Sequence, residues 1–565
     1  MKKFLPIFLT LMFTPLLASC TSAVSHTPEA TPEPILTSEL AEYTIVYPSA
    51  YTQFRMDIVT ELQDTIEHIT GKKINAVPDS QPEAEHEIIL ASSKRKTSYD
   101  SDIDAFASRM DYIIAVDGDD IVLGGQNYYS DLRAVYDFIN NYIGYDDIKD
   151  AYSEPTKAIS GTYVNIYKKP DFIIEAACWA TTFDKAEYIK DIAEANFNML
   201  MILQNFYNME QFHDLTKWCA RYEIELLVNV VPTNNEMRWC EVYSDCPIIY
   251  GGYVWDEPSL EQLEYVQELC DQYSEAYSQY GWKPYMNYGG MVPYAQAIKE
   301  SPYLKNLEVL SFDWYIFVNN SENWSNGNIN GGEGSYFLEV LQTYMETAKE
   351  NDMELWQYIQ AYRRSGGAFN ASKAYRWQMY MSLCFDVKAI LYFEYANQFE
   401  TLSWADNNSW VLNKDFSKGD NYYYAKDANE EILKIYDVLK NYDNVGAYTY
   451  YKREDQYYAE FDEYKDFNVI EDIKDLNYDT FGNSSYLVGC FDEKEGDGKA
   501  FIFMNLEIPN SVDYEKDWCF PVSLKINGDN VTFYKGGEPI ELEPDEEGYY
   551  TIKVPNGECL FVTVE

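Results

Sequence analysis

Histidine and positive charge are what this sequence has least of. Its 565 residues hold 4 histidines, and 43 lysines and arginines stand against 93 aspartates and glutamates, for a formal net charge of −50. His26, His68 and His86 lie toward the N-terminus, so only His213 falls in the long central region. A Ser-His-Asp triad or a multi-histidine zinc site has almost nothing to be built from. The shortage of lysine and arginine argues against a nucleic-acid binder or a protein held to anionic lipid by charge, because neutralised phosphates supply that affinity. No P-loop or GxGxxG run occurs, so nucleotide sites have no support, and no cofactor is expected. The chemistry open to such a chain rests on carboxylates.

What is present is globular material. Hydrophobic residues make up 46% and charged residues 24%, enough apolar content for large buried cores. At roughly 150 residues per domain the length implies three or four domains, although one β/α barrel takes about 250. The 53 tyrosines and 12 tryptophans suit sugar rings, and equally suit ordinary cores.

Lys2 and Lys3 precede an apolar run from Phe4 to Leu17, followed by Leu17-Ala18-Ser19-Cys20. A charged start, a short apolar stretch and small residues before a cut read as a secretory signal, too short to span a bilayer. The pattern resembles a bacterial lipoprotein signal, which implies lipid attachment at Cys20 and an extracytoplasmic, membrane-anchored protein. Residues 21–42, rich in Ser, Thr, Pro and Glu, read as a tether. The nine remaining cysteines are irregularly spaced and odd in number, which favours buried thiols over a disulfide framework, with Cys240 and Cys246 as one local pairing option.

Three folded regions follow. Residues 43–160 alternate strands and helices, with a hairpin in DYIIAVDGDDIVLGG turning at Gly118-Asp119 and a helix over 128–143 stopped by Gly144. Residues 168–443 alternate apolar strands with amphipathic helices, the pattern of a parallel sheet. Eight strands are counted, at 172–180, 198–203, 225–230, 250–258, 283–289, 309–317, 354–362 and 389–396, which predicts a (β/α)8 TIM barrel. From 444 to 565 short strands separated by Gly, Asn and Asp turns predict an all-β sandwich.

In such a barrel the reacting groups stand at the C-terminal strand ends. Those ends carry Trp179, Gln204, Asn205, Asn229, Trp255, Asp256, Glu257, Asn287, Tyr288, Asp313, Trp314, Tyr315, Gln357, Gln360, Tyr362, Glu394 and Tyr395. Aromatic faces with amides and carboxylates are what a sugar pocket needs.

Four stretches carry a family resemblance. Thr70-Gly71-Lys72-Lys73-Ile74 and Glu87-Ile88-Ile89-Leu90 resemble the accessory α+β domain of exo-acting glycosidases such as hexosaminidases and α-glucuronidases. YGGYVWDEPS at 250–259 resembles the acid/base strand of the barrel glycoside hydrolase superfamily, which implies Glu257 as general acid/base with Asp256 beside it. The same run serves equally to cap the helix that follows. FDWYIF at 312–317 resembles the sixth strand of those barrels, implying Tyr315 as an orienting residue and Asp313 as an assisting carboxylate. Strand seven departs from the pattern. Retaining members carry a nucleophilic Glu at its end, whereas here Glu354 begins the strand and Gln357 and Gln360 follow. Glu394 is the substitute carboxylate.

The expected function is a surface-anchored glycoside hydrolase acting on a glycan or oligosaccharide. The alternative is a carbohydrate-binding lipoprotein that keeps the barrel without the strand-seven nucleophile. The strong negative charge favours neutral over polyanionic glycans. Arg363 and Arg364 fit either an acidic sugar or a surface counter-charge.

Overall fold

The computed structural model describes residues 34–179, 181–202, 208–229, 242–304, 307–317, 333–363, 371–398, 405, 409–451, 467–475, 485–506 and 521–565. The signal, Cys20, most of the tether, Gln204, Asn205, Cys240 and Arg364 lie outside them. No helix among the described residues is long and apolar enough to cross a membrane.

The centre of the molecule is a closed parallel barrel of eight strands. We label them β1 (Ile173–Cys178), β2 (Met199–Ile202), β3 (Glu225–Asn229), β4 (Ile249–Asp256), β5 (Lys283–Gly289), β6 (Val309–Asp313), β7 (Glu354–Gln360) and β8 (Val387–Ala396). Apolar runs in all eight reflect burial on both faces. Inward side chains, among them Ile173, Met199, Leu227, Tyr253, Tyr285, Trp356, Tyr358 and Leu391, fill the lumen as one cluster. The outward set packs on the surrounding helices.

Gly251 and Gly252 on β4 mark a close approach. A Cβ at Gly251 would stand 2.0 Å from the Lys283 carbonyl oxygen, and one at Gly252 would stand 2.5 Å from the Tyr273 ring. Gly251→Ala is therefore expected to destabilise the protein by about 1–3 kcal/mol, the usual range for overpacking. Chemical unfolding would show it as a lower midpoint.

The N-terminal region is a six-stranded mixed sheet, its outermost strands being Asn75–Pro78 and Thr162–Asn165. The hairpin turns where predicted, with Asp117 paired to Asp120. Gly144 ends the helical stretch at φ 88°, a conformation glycine adopts without steric cost. This sheet domain docks on the helix Met209–Arg221 through charge. Asp57 accepts from Lys217 at 2.8 Å and faces His213 Nε2 at 3.4 Å. Although burial opposes it, those partners hold Asp57 down at about 2. Arg221 forks onto Asp147 at 2.6 Å, and Arg55 meets Asp245 at 2.7 Å. His213, the lone central histidine, is thus an interface residue.

The C-terminal region forms a six-stranded and a three-stranded antiparallel sheet. Phe501, Phe503 and Val562 from one pack on Val522, Leu524 and Ile552 from the other, which makes the sandwich. Cys178, Cys219, Cys246, Cys270, Cys384, Cys490 and Cys559 are free and buried. Cys240, the partner suggested for Cys246, lies outside the described residues.

Candidate active site

A register shift in β4 builds the site. Tyr253 pairs with Tyr285, but Trp255 pairs with Met286 and Asp256 with Asn287. The extra residue changes the phase of alternation. Tyr253 and Asp256 both face inward, where the Tyr253 hydroxyl donates to Asp256 Oδ1 at 2.6 Å. Val254 and Trp255 turn outward, and Trp255 meets Tyr265 edge-on at 5.9 Å. Trp255, expected in the pocket, therefore packs among the helices.

Glu257 follows at φ 40° with its N–H on the Asn287 carbonyl at 3.0 Å. A non-glycine residue in that conformation is costly and persists where its surroundings hold it. The helix cap expected of this run is supplied by its last residue, Ser259, whose N–H donates to Gln262 Oε1 at 2.8 Å. Asp256 and Glu257 are left for the barrel mouth.

Glu257 is open to solvent as a residue, but its carboxyl end turns over Gly289 toward Asp313. The Glu257 carboxyl and the Tyr315 hydroxyl both come close to Asp313. Burial, then the charge of Asp256, raises the Glu257 carboxyl above its ordinary range. Burial, then Glu257 and Asp256, raises Asp313 well above its own. Two carboxyls this close do not both ionise readily, so the pair keeps a proton past the pH at which lone carboxylates lose theirs. Asp313 Oδ1 is buried without a partner, unspent hydrogen-bonding capacity at the pair, whereas Trp314, expected in the pocket, packs outward with the helices.

The opposite wall is aromatic. Tyr315 stacks on Phe393 at 5.4 Å, Trp179 meets Phe393 edge-on at 6.0 Å, and Tyr362 lies 5.6 Å from Trp410. Phe393 and Trp410 were not anticipated. Phe393 stands inside the predicted strand, and alternation from Ala389 and Leu391 would have found it.

Glu394 lies on β8, four strands round the closed ring from β4. It is 0% exposed, accepting from Trp179 N–H at 3.0 Å and Asn397 Nδ2 at 2.7 Å. Its peptide bond to Phe393 is cis. The two amides of β7 are structural. Gln357 points outward and accepts from Ser382 Oγ at 2.6 Å, because Trp356 and Tyr358 hold the inward positions of the strand. Gln360 receives Phe317 N–H at 2.9 Å and donates to the Phe317 and Tyr362 carbonyls, pinning the loop after β6. Tyr288 and Tyr395 also pack outward. Asn287 is buried beside Asp256, and Asn229 sits half-buried at the end of β3.

A cavity of about 590 Å³ opens at the other, N-terminal end of the barrel, with Lys169, Lys283, Lys388 and Lys494 in its wall. Each of these lysines already faces a carboxylate: Glu225, Glu308, Asp386 and Asp443 respectively. That end is a salt-linked rim.

No family model matches the chain, and no curated protein does. Solved structures match the chain at low similarity. The β-galactosidase of Marinomonas ef1 is 10% identical over 47% of this chain and 60% of its own, with a TM-score of 0.34. The chain thus spans less than two thirds of that enzyme. The endo-β-1,4-mannanase of Thermotoga petrophila is 9% identical over 68% of this chain and 92% of its own, at 0.32. The GH20 β-N-acetylhexosaminidase of Streptomyces coelicolor is 9% identical over 65% and 84%, at 0.31. The class is a (β/α)8 barrel with an α+β domain before it and a β-sandwich after it, as its own strands define.

Proposed function

We propose that the barrel mouth is a glycoside hydrolase site in which Glu257, sharing a proton with Asp313, protonates the departing glycosidic oxygen. The observation that carries this reading is the Glu257–Asp313 pair itself, at the barrel end where catalytic groups gather. A glycosidic oxygen leaves poorly unless an acid of raised pKa meets it. Asp256 supplies a third carboxyl, and Trp179, Tyr315 and Phe393 supply an aromatic wall for a sugar ring. Asp313 touches Glu257, closer than the roughly 5–5.5 Å or 6.5–9.5 Å that separates the two working carboxyls of glycosidases. It therefore serves as proton partner, and Glu394, across the ring, is the opposing carboxylate. Lipid attachment at Cys20 places the enzyme at the outer face of a bacterial membrane, acting on a glycan or oligosaccharide.

The second reading, a sugar-binding barrel without turnover, draws on the complete burial of Glu394. A panel of neutral oligosaccharides and aryl glycosides separates the two. Turnover that falls steeply in both Asp313→Asn and Glu394→Gln supports the enzyme with these roles. Saturable binding with no product from the wild type supports the binding protein.

A further inference from the structure

The backbone around Glu257 is held from both sides. Glu257 N–H donates to the Asn287 carbonyl, and one residue on, the carbonyl of the buried Pro258 accepts from the Tyr294 hydroxyl. Tyr294 lies on the short helix Val292–Lys299 that follows β5. Between these anchors only three backbone torsions turn, φ and ψ of Glu257 and ψ of Pro258, because the proline ring fixes its own φ. A residue before proline is pushed toward extended backbone, yet Glu257 keeps φ 40°.

The floor under the carboxyl is fixed from the same side. A Cβ on Gly289 would stand 3.6 Å from Glu257 Oε1 and 3.9 Å from Tyr294 Cδ1, so carboxyl and ring share the space above this residue. The Gly289 carbonyl accepts from the Tyr344 hydroxyl at 2.7 Å, and Gly289 stands opposite Asp313 in the register of β5 with β6. A Cβ on Gly290 would stand 2.4 Å from the Asp313 carbonyl oxygen. The strand end that carries Asp313 and the loop beneath Glu257 are thus in contact.

We infer that Tyr294 is a positioning residue: its hydroxyl clamps the Pro258 carbonyl, and that clamp holds Glu257 in the conformation that turns its carboxyl toward Asp313. The Tyr294 ring packs on the core between barrel and helices, a task phenylalanine would do equally well. The hydroxyl does what a ring cannot. It brings one hydrogen, and a buried carbonyl left without a donor is costly. Without that hydrogen the Pro258 carbonyl turns to find another partner, and Glu257 turns with it toward the extended backbone its place before proline favours. The phenol keeps the hydrogen it donates, because burial, then Glu257 and Asp313, raise it above its ordinary range.

The consequence for activity rests on the glycosidase reading, so the test has two arms. The first needs no substrate. Crystal structures of wild type and Tyr294→Phe in one crystal form are expected to differ at Glu257, with φ negative in the variant and the carboxyl turned away from Gly289. Superimposable Glu257 conformations overturn the inference, whether or not any glycoside is cleaved. The second arm is a double-mutant cycle on a cleaved alkyl glycoside. Tyr294→Phe should lower kcat roughly 10²-fold with KM unchanged, the loss expected when a reacting group is misplaced by about 1 Å. In the Glu257→Gln background the same change should cost nothing further, since no acid is left to position. Equal proportional losses in both backgrounds overturn the link to the acid. If no glycoside is cleaved, the glycosidase reading fails and the first arm alone decides the clamp.

Discussion

Replacing Glu257 by glutamine is expected to lower kcat about 10²–10⁴-fold, with KM little changed. The amide keeps the shape of the side chain and its place over Gly289, so sugar stacking on the aromatic wall survives. It cannot release a proton to a leaving oxygen. The size of the loss should track the leaving group. A glycoside of an acidic phenol departs without help and should lose little, whereas an alkyl glycoside or oligosaccharide should show the full loss. Kinetics on such a series check this directly. A loss that is equal across the series would mean that Glu257 binds sugar and does not donate the proton. The pH profile offers an independent check. Burial, then Asp256, raises Glu257, and burial, then Glu257 and Asp256, raises Asp313, so the alkaline limb of kcat/KM should lie above the ordinary carboxylate range. Asp313→Asn removes one charge from the cluster and should bring that limb down.

Glu175→Gln is expected to stabilise the protein at neutral and alkaline pH and to leave it unchanged near pH 4. Glu175 is buried on β1, and its folded-state value, about 8, lies above the ordinary glutamate value of 4.5. Below 4.5 both the folded and unfolded chains hold the proton and the group contributes no difference. As pH rises from 4.5 the unfolded chain ionises first, so stability drains away until the folded group also ionises near 8. At about 1.4 kcal/mol per unit, the full difference is at most about 5 kcal/mol. Glutamine has no such penalty. The difference in melting temperature between variant and wild type should be near zero at pH 4.5, grow to several degrees by pH 8 and level off beyond. A constant difference over that range would show that Glu175 is not protonated in the folded state. Because three modules share one continuous core, the melting temperature is the safer observable than a two-state free energy.

Local pattern carried far in this chain. Apolar runs of strand length alternating with amphipathic helices led to eight barrel strands, and each is found within a few residues of its expected place. The Gly118-Asp119 turn and the Gly144 stop were equally readable, since both follow from what glycine does to a backbone. Among the described residues the helices Asp100–Asp104 and Val292–Lys299 were overlooked, since five and eight residues are too few to show a convincing period. At the mouth, chain position marked Glu257, Asp313 and Tyr315, because strand ends are legible and carboxylates there are few.

Orientation was a different matter. Strict alternation cannot register one extra residue, so the shift between Tyr253 and Trp255 put Trp255 outside against expectation, while Asp256 faces inward. On β7 the inward places belong to Trp356 and Tyr358, and Gln357 goes to the helix layer. Glu175 drew no notice at all, since in sequence it is one acid of 93. The scarcity of histidine and of positive charge, read from composition alone, directed the search to carboxylates. Which carboxylates share protons was decided only when closing the barrel brought β4, β5 and β6 together. Proton sharing depends on distance and dielectric between residues far apart in the chain, and a linear sequence contains neither.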